Sequence, residues 1–524
     1  MNSELLKQIK EKRLLLEKDL FDLLNSFEDP EATKAILENL QKFSGQKILT
    51  KSSLTKNTQY FNSVVNTLSD QHKHTVENIF IKLGISLEIR KETIVQQNST
   101  INSISDRKQN YTIHYADTKA DKKIEVADFV GNFRSRYQEL QKILMERPQL
   151  KNLISINKIS QDRQSLSFIG IVTEKRTTKN KNLIIKFEDL TGEINGLVKF
   201  DNKELSIIAN ELQLDDVVGV KASGNREMLF IHDIFFPDAH IPNKTTFKEE
   251  VCIAFLSDVH AGSDRHLNQS LDRFINWLNS DHETAKKIKY LFFTGDNVDG
   301  VGIFPGQENF LKLKSMKEQY ELLASYLKRV PKHITMFMCP GQHDAVRVAE
   351  PQPIIDKRYA PQLYEIDNLV LVTNPTLVKF LEGDTVFKVL MYHGASIHTF
   401  INEIAELREI KANRSPAKAV RHMLKRRHLA PTHSVVTYIP NIDKDPLVIS
   451  EVPDVLCTGE VHRLDIENYN GVLIITGSCW QAKTAFEEKV GNIPDPAKVP
   501  VLNLKTRELK VFDFGVEEEI NREY

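Results

Sequence analysis

Six short apolar runs in the C-terminal half of a 524-residue chain, CIAFLSD, YLFFTGD, ITMFMCPG, FKVLMYHG, DVLCTGE and GVLIITGS, each end in a polar residue or a glycine. Five of these ends carry groups able to bind metal: Asp258 and His260, Asp296, Gln342 and His343, His393, and Glu460 with His462. A carboxylate and an imidazole two residues apart at a strand terminus face one side, so Asp258 and His260 can chelate a single ion. Hard carboxylates beside imidazoles suit Mn, Fe, Zn or Co better than Ca or Mg. Two such ions about 3.5–4 Å apart would clamp a phosphate and acidify a bound water, the two effects that phosphodiester cleavage needs at neutral pH. A lone D-x-H is more often structural. The ordered set D-x-H, G-D-x-x-D, G-x-H-D, H and G-x-x-H, all at strand ends, points to metal chemistry.

Buried strands with functional groups at their ends imply an α/β sandwich with a site along one sheet edge, here residues 241–524. Upstream, residues 151–240 hold five strand-like runs separated by Gly and Asp turns, including a D-x-T-G turn at Asp189 to Gly192, which reads as an OB-type β-barrel. Residues 124–150 read as a connecting helix, with Phe129, Phe133, Tyr137, Leu140 and Leu144 on one face and Pro148 ending it. Residues 76–123 turn polar and lose periodicity, the mark of a partly flexible linker. Leu5, Ile9, Leu16 and Leu20 share helical spacing in an N-terminal helical module over residues 1–75, where Asp29 before Pro30 is a good helix start. The fold class is therefore multidomain α+β.

Lys and Arg total 70 against 71 for Asp and Glu, so only local patches bear on nucleic acid. One patch runs from Lys411 to His428 and includes Arg421, Lys425, Arg426 and Arg427; it is either a DNA-binding cluster or the solvated face of a basic helix. Arg347 either contacts a substrate phosphate or pairs with Glu350. Glu174 to Lys181, EKRTTKNK, is a basic loop between the first two barrel strands, bordering either a nucleic-acid groove or a protein-docking barrel. The four cysteines, Cys252, Cys339, Cys457 and Cys479, are widely spaced without a C-x-x-C pair, which favours reduced thiols in a cytoplasmic protein. No apolar run approaches the ~18 residues of a membrane span, and the N-terminus is charged throughout, unlike a signal peptide.

The blocks FLSDVHAG, FFTGDNVDG, CPGQHDAVR, MYHGASIH and TGEVHRL resemble the calcineurin-like metallophosphoesterase superfamily. GDNVDGVGIFPGQ, PGQHDAVRVAEPQP, MLKRRHLAPTH and ITGSCWQAKT narrow the resemblance to the small subunit of the archaeal family D DNA polymerase. That resemblance implies two divalent metal ions, with Mn the first expectation and Mg, Fe or Zn the alternatives. One ion would be held by Asp258, His260, Asp296 and His462, and the second by bridging Asp296 with Gln342, His393 and Glu460. His343, oriented by Asp344, would serve as general acid or charge stabiliser beside the leaving oxygen. The implied activity is 3′-to-5′ exonuclease proofreading on DNA 3′ ends, alongside scaffolding of a large catalytic subunit; the alternative is a catalytically impaired scaffold. Two positions depart from the superfamily pattern: Gln342 replaces the Asn of G-N-H-D, and Glu460 replaces the first His of G-H-x-H. The strands from Val499 to Phe514 would either close the sheet or help form the subunit interface.

Overall fold

The computed structural model describes residues 15–16, 48–49, 110–118, 123–199, 201–433 and 435–520. It divides into two compact units, residues 1–103 and 104–524. In the first, only a two-residue parallel pairing of β1 (Leu15–Leu16) with β2 (Ile48–Leu49) is described, and the rest of the expected helical module lies outside the described residues.

The second unit begins with β3 (Tyr111–Tyr115), which pairs antiparallel with a later strand and forms the edge of a sheet. This corrects the linker expectation for that stretch. Tyr111 and Ile113 alternate with polar residues, and Tyr111 packs edge-on against Phe337 at 5.0 Å. The signal spans too few residues to stand out from its polar surroundings.

Next come the helix Val126–Met145 and the barrel strands β4 (Gln164–Thr177), β5 (Leu183–Asp189), β6 (Gly192–Val198), β7 (Val217–Gly224) and β8 (Leu229–Phe235). They close in the order β4-β5-β6-β8-β7, with the helix Lys203–Glu211 between β6 and β7. The 14-residue β4 makes closure possible, because a bulge between Val172 and Glu174 bends it so that it pairs with both β5 and β7. Asp189 Oδ1 accepts the amides of Thr191 and Gly192, which builds the expected turn.

The remaining strands are β9 (Cys252–Leu256), β10 (Ile288–Thr294), β11 (Thr335–Cys339), β12 (Leu369–Leu371), β13 (Thr376–Glu382), β14 (Thr385–Met391), β15 (Val455–Thr458), β16 (Asp465–Tyr469), β17 (Val472–Thr476), β18 (Lys498–Asn503) and β19 (Leu509–Asp513). They build two six-stranded mixed sheets, ordered β12-β11-β10-β9-β18-β19 and β16-β17-β15-β14-β13-β3. The sheets face each other across Phe255, Phe292 and Phe337 on one side and Phe380, Phe387 and Met391 on the other, all buried. Alternate residues of the same strands, such as Ala254, Leu291 and Met336, pack outward against the helices Asn268–Leu278 and Met316–Leu327. Burial on both faces explains why these strands read as continuous apolar runs. β18 and β19 close the first sheet beside β9, which decides that part of the C-terminal question.

All four cysteines are buried and unbridged, as expected. No described helix is long and apolar enough to cross a membrane.

Candidate metal centre

The parallel strands β9, β10, β11, β14 and β15 all deliver side chains from their C-terminal ends to one place. Asp258 and His260 follow β9, Asp296 follows β10, Gln342 and His343 follow β11, His393 follows β14, and Glu460 and His462 follow β15. Ligand atoms of Asp258, His260 and His462 lie within 4.8 Å of one another, and so do those of Asp258, Asp296 and His393. Two adjacent three-residue sets thus share Asp258.

Turning the chain so sharply strains it. Asp258, His260, Asp296, Glu460 and His462 have φ of 52°, 47°, 48°, 75° and 57°. Each non-glycine residue in this region costs on the order of 1–3 kcal/mol and persists only where its surroundings over-determine it. Here they do: the His260 amide donates to the Asp296 carbonyl, the Glu460 amide to Asp258 Oδ1 at 3.1 Å, and the His343 amide to Asp296 Oδ1 at 2.9 Å. Gly341 permits a close approach, since a Cβ there would meet Asp296 Oδ1 at 2.2 Å and His393 Nε2 at 2.7 Å.

The donor set fits a pair of divalent cations. Asp258 Oδ2, Gln342 Oε1 and His393 Nε2 are buried and have no hydrogen-bond partner among the described residues. An orphaned polar group costs roughly 1–3 kcal/mol, which a coordinated cation would offset. His393 Nε2 sits 3.2 Å from Asp296 Oδ2 and 3.3 Å from Glu460 Oε2 without good hydrogen-bond geometry to either. His260 and His462 bring their Nε2 atoms to 3.0 Å while their Nδ1 atoms meet Asp299 at 3.0 Å and Glu487 at 2.9 Å. Carboxylates at Nδ1 favour the tautomer whose Nε2 lone pair is free for a metal.

The electrostatics agree. Burial alone would push His462 down, but Glu487 and Asp258 outweigh it and raise the imidazole to about 9. Burial would raise Glu460, yet His393 holds it at about 2. His343 rises despite its burial because Asp296 lies nearby. Negative charge collected here stabilises imidazole protons and would stabilise a divalent cation in the same way.

Residues 253–464 match the profile of the family that comprises the B subunits of DNA polymerases alpha and epsilon. The DNA polymerase II small subunit of Methanothermobacter thermautotrophicus is 36% identical over 394 residues, covering 74% of this chain and 80% of that one. This chain belongs to the DNA polymerase II small subunit family. The Thermoplasma acidophilum member is 34% identical over 411 residues, covering 78% of this chain and 81% of its own length. The Pyrococcus furiosus member is 37% identical over 404 residues, 75% of this chain, and the match spans only 64% of that longer relative. A solved archaeal phosphodiesterase aligns over 50% of this chain at 12% identity with a TM-score of 0.25, a likeness too slight to bear on the fold.

Members of this family were expected to use Asp344 to orient His343, and the contacts correct that expectation. His343 Nδ1 lies 2.6 Å from the Asp299 carbonyl instead. Asp344 accepts from Asn297, the Gly341 amide and Tyr320 Oη, so it buttresses the loops that carry Asp296 and Gln342. Burial first, and then Asp296, raise Asp344 to about 6.

The basic residues are also corrected. Arg426 is buried against Asp216 at 2.9 Å, Lys425 bonds Glu211 at 2.6 Å, and Arg421 reaches Glu467 at 3.3 Å. Arg427 donates to the carbonyls of Ile449 and Ser450. The helix Ala417–Arg426 and the residue after it therefore spend these four cations on groups of the protein itself, two of them against the barrel. Arg347 does not pair with Glu350; it donates to the carbonyls of Thr118, Ala349 and Pro351.

Two functional side chains escaped the sequence reading. Asp299 was visible as the second acid of G-D-x-x-D, without a role. Glu487 lies in a capping box with Thr484 and spends its other oxygen on His462, a long-range contact that no local pattern reveals.

Proposed function

We propose that this chain is the small subunit of a heteromeric replicative DNA polymerase and carries a two-metal 3′-to-5′ exonuclease. The observation that supports this reading is the convergence of Asp258, His260, Asp296, His393 and His462 in two adjacent ligand sets, with His393 Nε2 and Gln342 Oε1 buried and unpartnered. Asp258, His260, Asp296 and His462 would hold one divalent ion, and Asp296, Gln342, His393 and Glu460 the other; Mn is preferred for this oxygen-rich set. Bound there, the ions would polarise the phosphoryl oxygens and supply an activated water.

The chain's own groups do the rest. His343, with Nδ1 fixed by the Asp299 carbonyl, presents Nε2 3.9 Å from Asp296 Oδ2, placed to hold a proton beside a departing 3′ oxygen. Asp344 positions the Gly341–His343 turn. The barrel fits the OB type, because its third and fifth strands, β6 and β8, pair in parallel and the helix follows the third strand. These elements support domain limits near residues 124, 151 and 241 in this reading, with a large catalytic subunit as the partner.

In the test, the full chain, alone and co-expressed with its large subunit, is given a 5′-labelled primer with a mismatched 3′ end and Mn, Mg or Zn. Stepwise shortening from the 3′ end is expected, and His343→Ala should slow it about 10²–10⁴-fold with the fold intact. A second reading, an impaired scaffold, draws on the Gln342 and Glu460 departures. Metal binding below one equivalent with no shortening would favour it.

A further inference from the structure

The loop between Gly300 and Leu313 shows a division between its base and its tip. At the base, buried Gln307 donates to the Asp299 carbonyl at 2.9 Å, and Asp299 is the residue that holds both His260 and His343. Gln319 ties down both backbone groups of Gly300, which could not carry a Cβ because one would meet the His343 carbonyl at 2.6 Å. The far end is anchored to the β9 loop, where the Asp264 amide donates to the Phe310 carbonyl. The tip is open: Ile303, Phe304 and Phe310 are 40%, 42% and 44% exposed, the two rings lie 6.4 Å apart, and exposed Glu308 and Asn309 stand between them in the chain. Lys312 and Lys314 follow, exposed and with no acidic partner among the described residues.

We infer that this loop is a single-strand clamp, in which Phe304 and Phe310 stack on unpaired bases next to the scissile bond while Lys312 and Lys314 meet the adjoining phosphates. The inference rests on the nuclease reading of the same site. Two flat aromatic faces followed by two exposed lysines suit bases and phosphates, since every base has a π-face and the backbone supplies the anions. The two lysines beside the rings favour an anionic, base-bearing strand over an apolar protein surface. The loop's base is tied to Asp299, which contacts both His260 and His343, so the clamp would hold unpaired ends beside the site and would not hold stacked duplex ends. The clamp would therefore give selectivity for frayed or mismatched termini through base unstacking, without reading sequence.

The test uses the full chain and a DNA strand carrying 2-aminopurine as its penultimate 3′ base, in EDTA so that no cleavage intervenes. Quenching on binding is expected, with tighter binding of the unpaired than of the fully paired end. Phe304→Ala with Phe310→Ala should weaken single-strand affinity tenfold or more. Phe304→Trp with Phe310→Trp should restore it. Lys312→Ala with Lys314→Ala should lower the log–log salt slope by about 1.4, at ~0.7 per phosphate for single strands. Thermal unfolding checks the fold; should the alanine pair unfold early, Phe304→Leu must still weaken binding. Equal affinity of the alanine pair and the native chain would overturn the clamp. Loss of co-purification with the large subunit at unchanged DNA affinity would overturn it too, marking a protein dock. Normal quenching with no cleavage once Mn is added would count against the nuclease alone.

Discussion

Gln342 Nε2 donates to Glu460 Oε2 at 2.8 Å, so the two positions that depart from the superfamily pattern touch each other. They form one unit. Glu460 adds a charge beside His393, and Gln342 uses its amide hydrogens on that charge while its oxygen stays unpartnered. A Glu460→His variant would leave the Gln342 amide facing an imidazole. Adding Gln342→Asn should recover part of the lost Mn affinity. Titration calorimetry on both single variants and the pair is expected to give a coupling of about 1 kcal/mol or more, within the range for contacting residues. Strict additivity would show that the two residues act independently.

Asp299 and Glu487 fix the tautomers of His260 and His462 from behind. Asp299→Asn or Glu487→Gln should therefore lower metal affinity about 10–100-fold, the usual effect of losing such a partner. Equilibrium dialysis against Mn measures this. An unchanged affinity in both variants would remove the two carboxylates from the metal centre.

Arg426 joins the two-sheet unit to the barrel through Asp216 and the Glu211 carbonyl. Removing one partner of a buried pair leaves a charge without compensation, and Arg426→Ala should cost about 3–5 kcal/mol in denaturant unfolding. DNA binding should keep its salt slope. A reduced slope at native stability would restore the DNA-binding reading of this helix.

His428 gives the fold a pH dependence away from the metal centre. Its Nε2 meets Asp445 at 3.0 Å, while Nδ1 accepts the Ala430 amide at 3.0 Å and so has no room for a proton. Burial first, and then Arg136, lower the imidazole from 6.5 to about 4. Because the folded value lies below the unfolded one, the unfolded chain takes up the proton first as pH falls. His428 thus contributes stability fully above about pH 6.5, and roughly 3 kcal/mol is lost between there and pH 4. Urea midpoints across that window should fall in the native chain and fall less in His428→Gln. Parallel curves would assign the acid sensitivity to other groups.

Much of the site was legible in sequence because parallel strands buried on both faces are written as apolar runs, and their C-terminal ends must reach solvent together. Asp258, His260, Asp296, His393 and His462 could be found from that rule alone, and so could the barrel's five strands and its Asp189 turn. What the linear order cannot carry is the direction in which a charged side chain points. Arg421, Lys425, Arg426 and Arg427 form a basic run on paper, yet Glu467, Glu211 and Asp216 pair with the first three, and buried Arg427 is held by the carbonyls of Ile449 and Ser450, since a buried cation is tolerable only beside a partner. Asp299, given no role beforehand, holds the ring that Asp344 was expected to hold: adjacency in sequence placed Asp344 next to His343, while the turn after β11 carried the ring away from it and toward the Asp299 carbonyl. Local residue types and spacing determined the candidate ligands and the strands that carry them. Only the folded chain, by bringing distant partners within hydrogen-bond reach, decided which charges are spent holding the protein together.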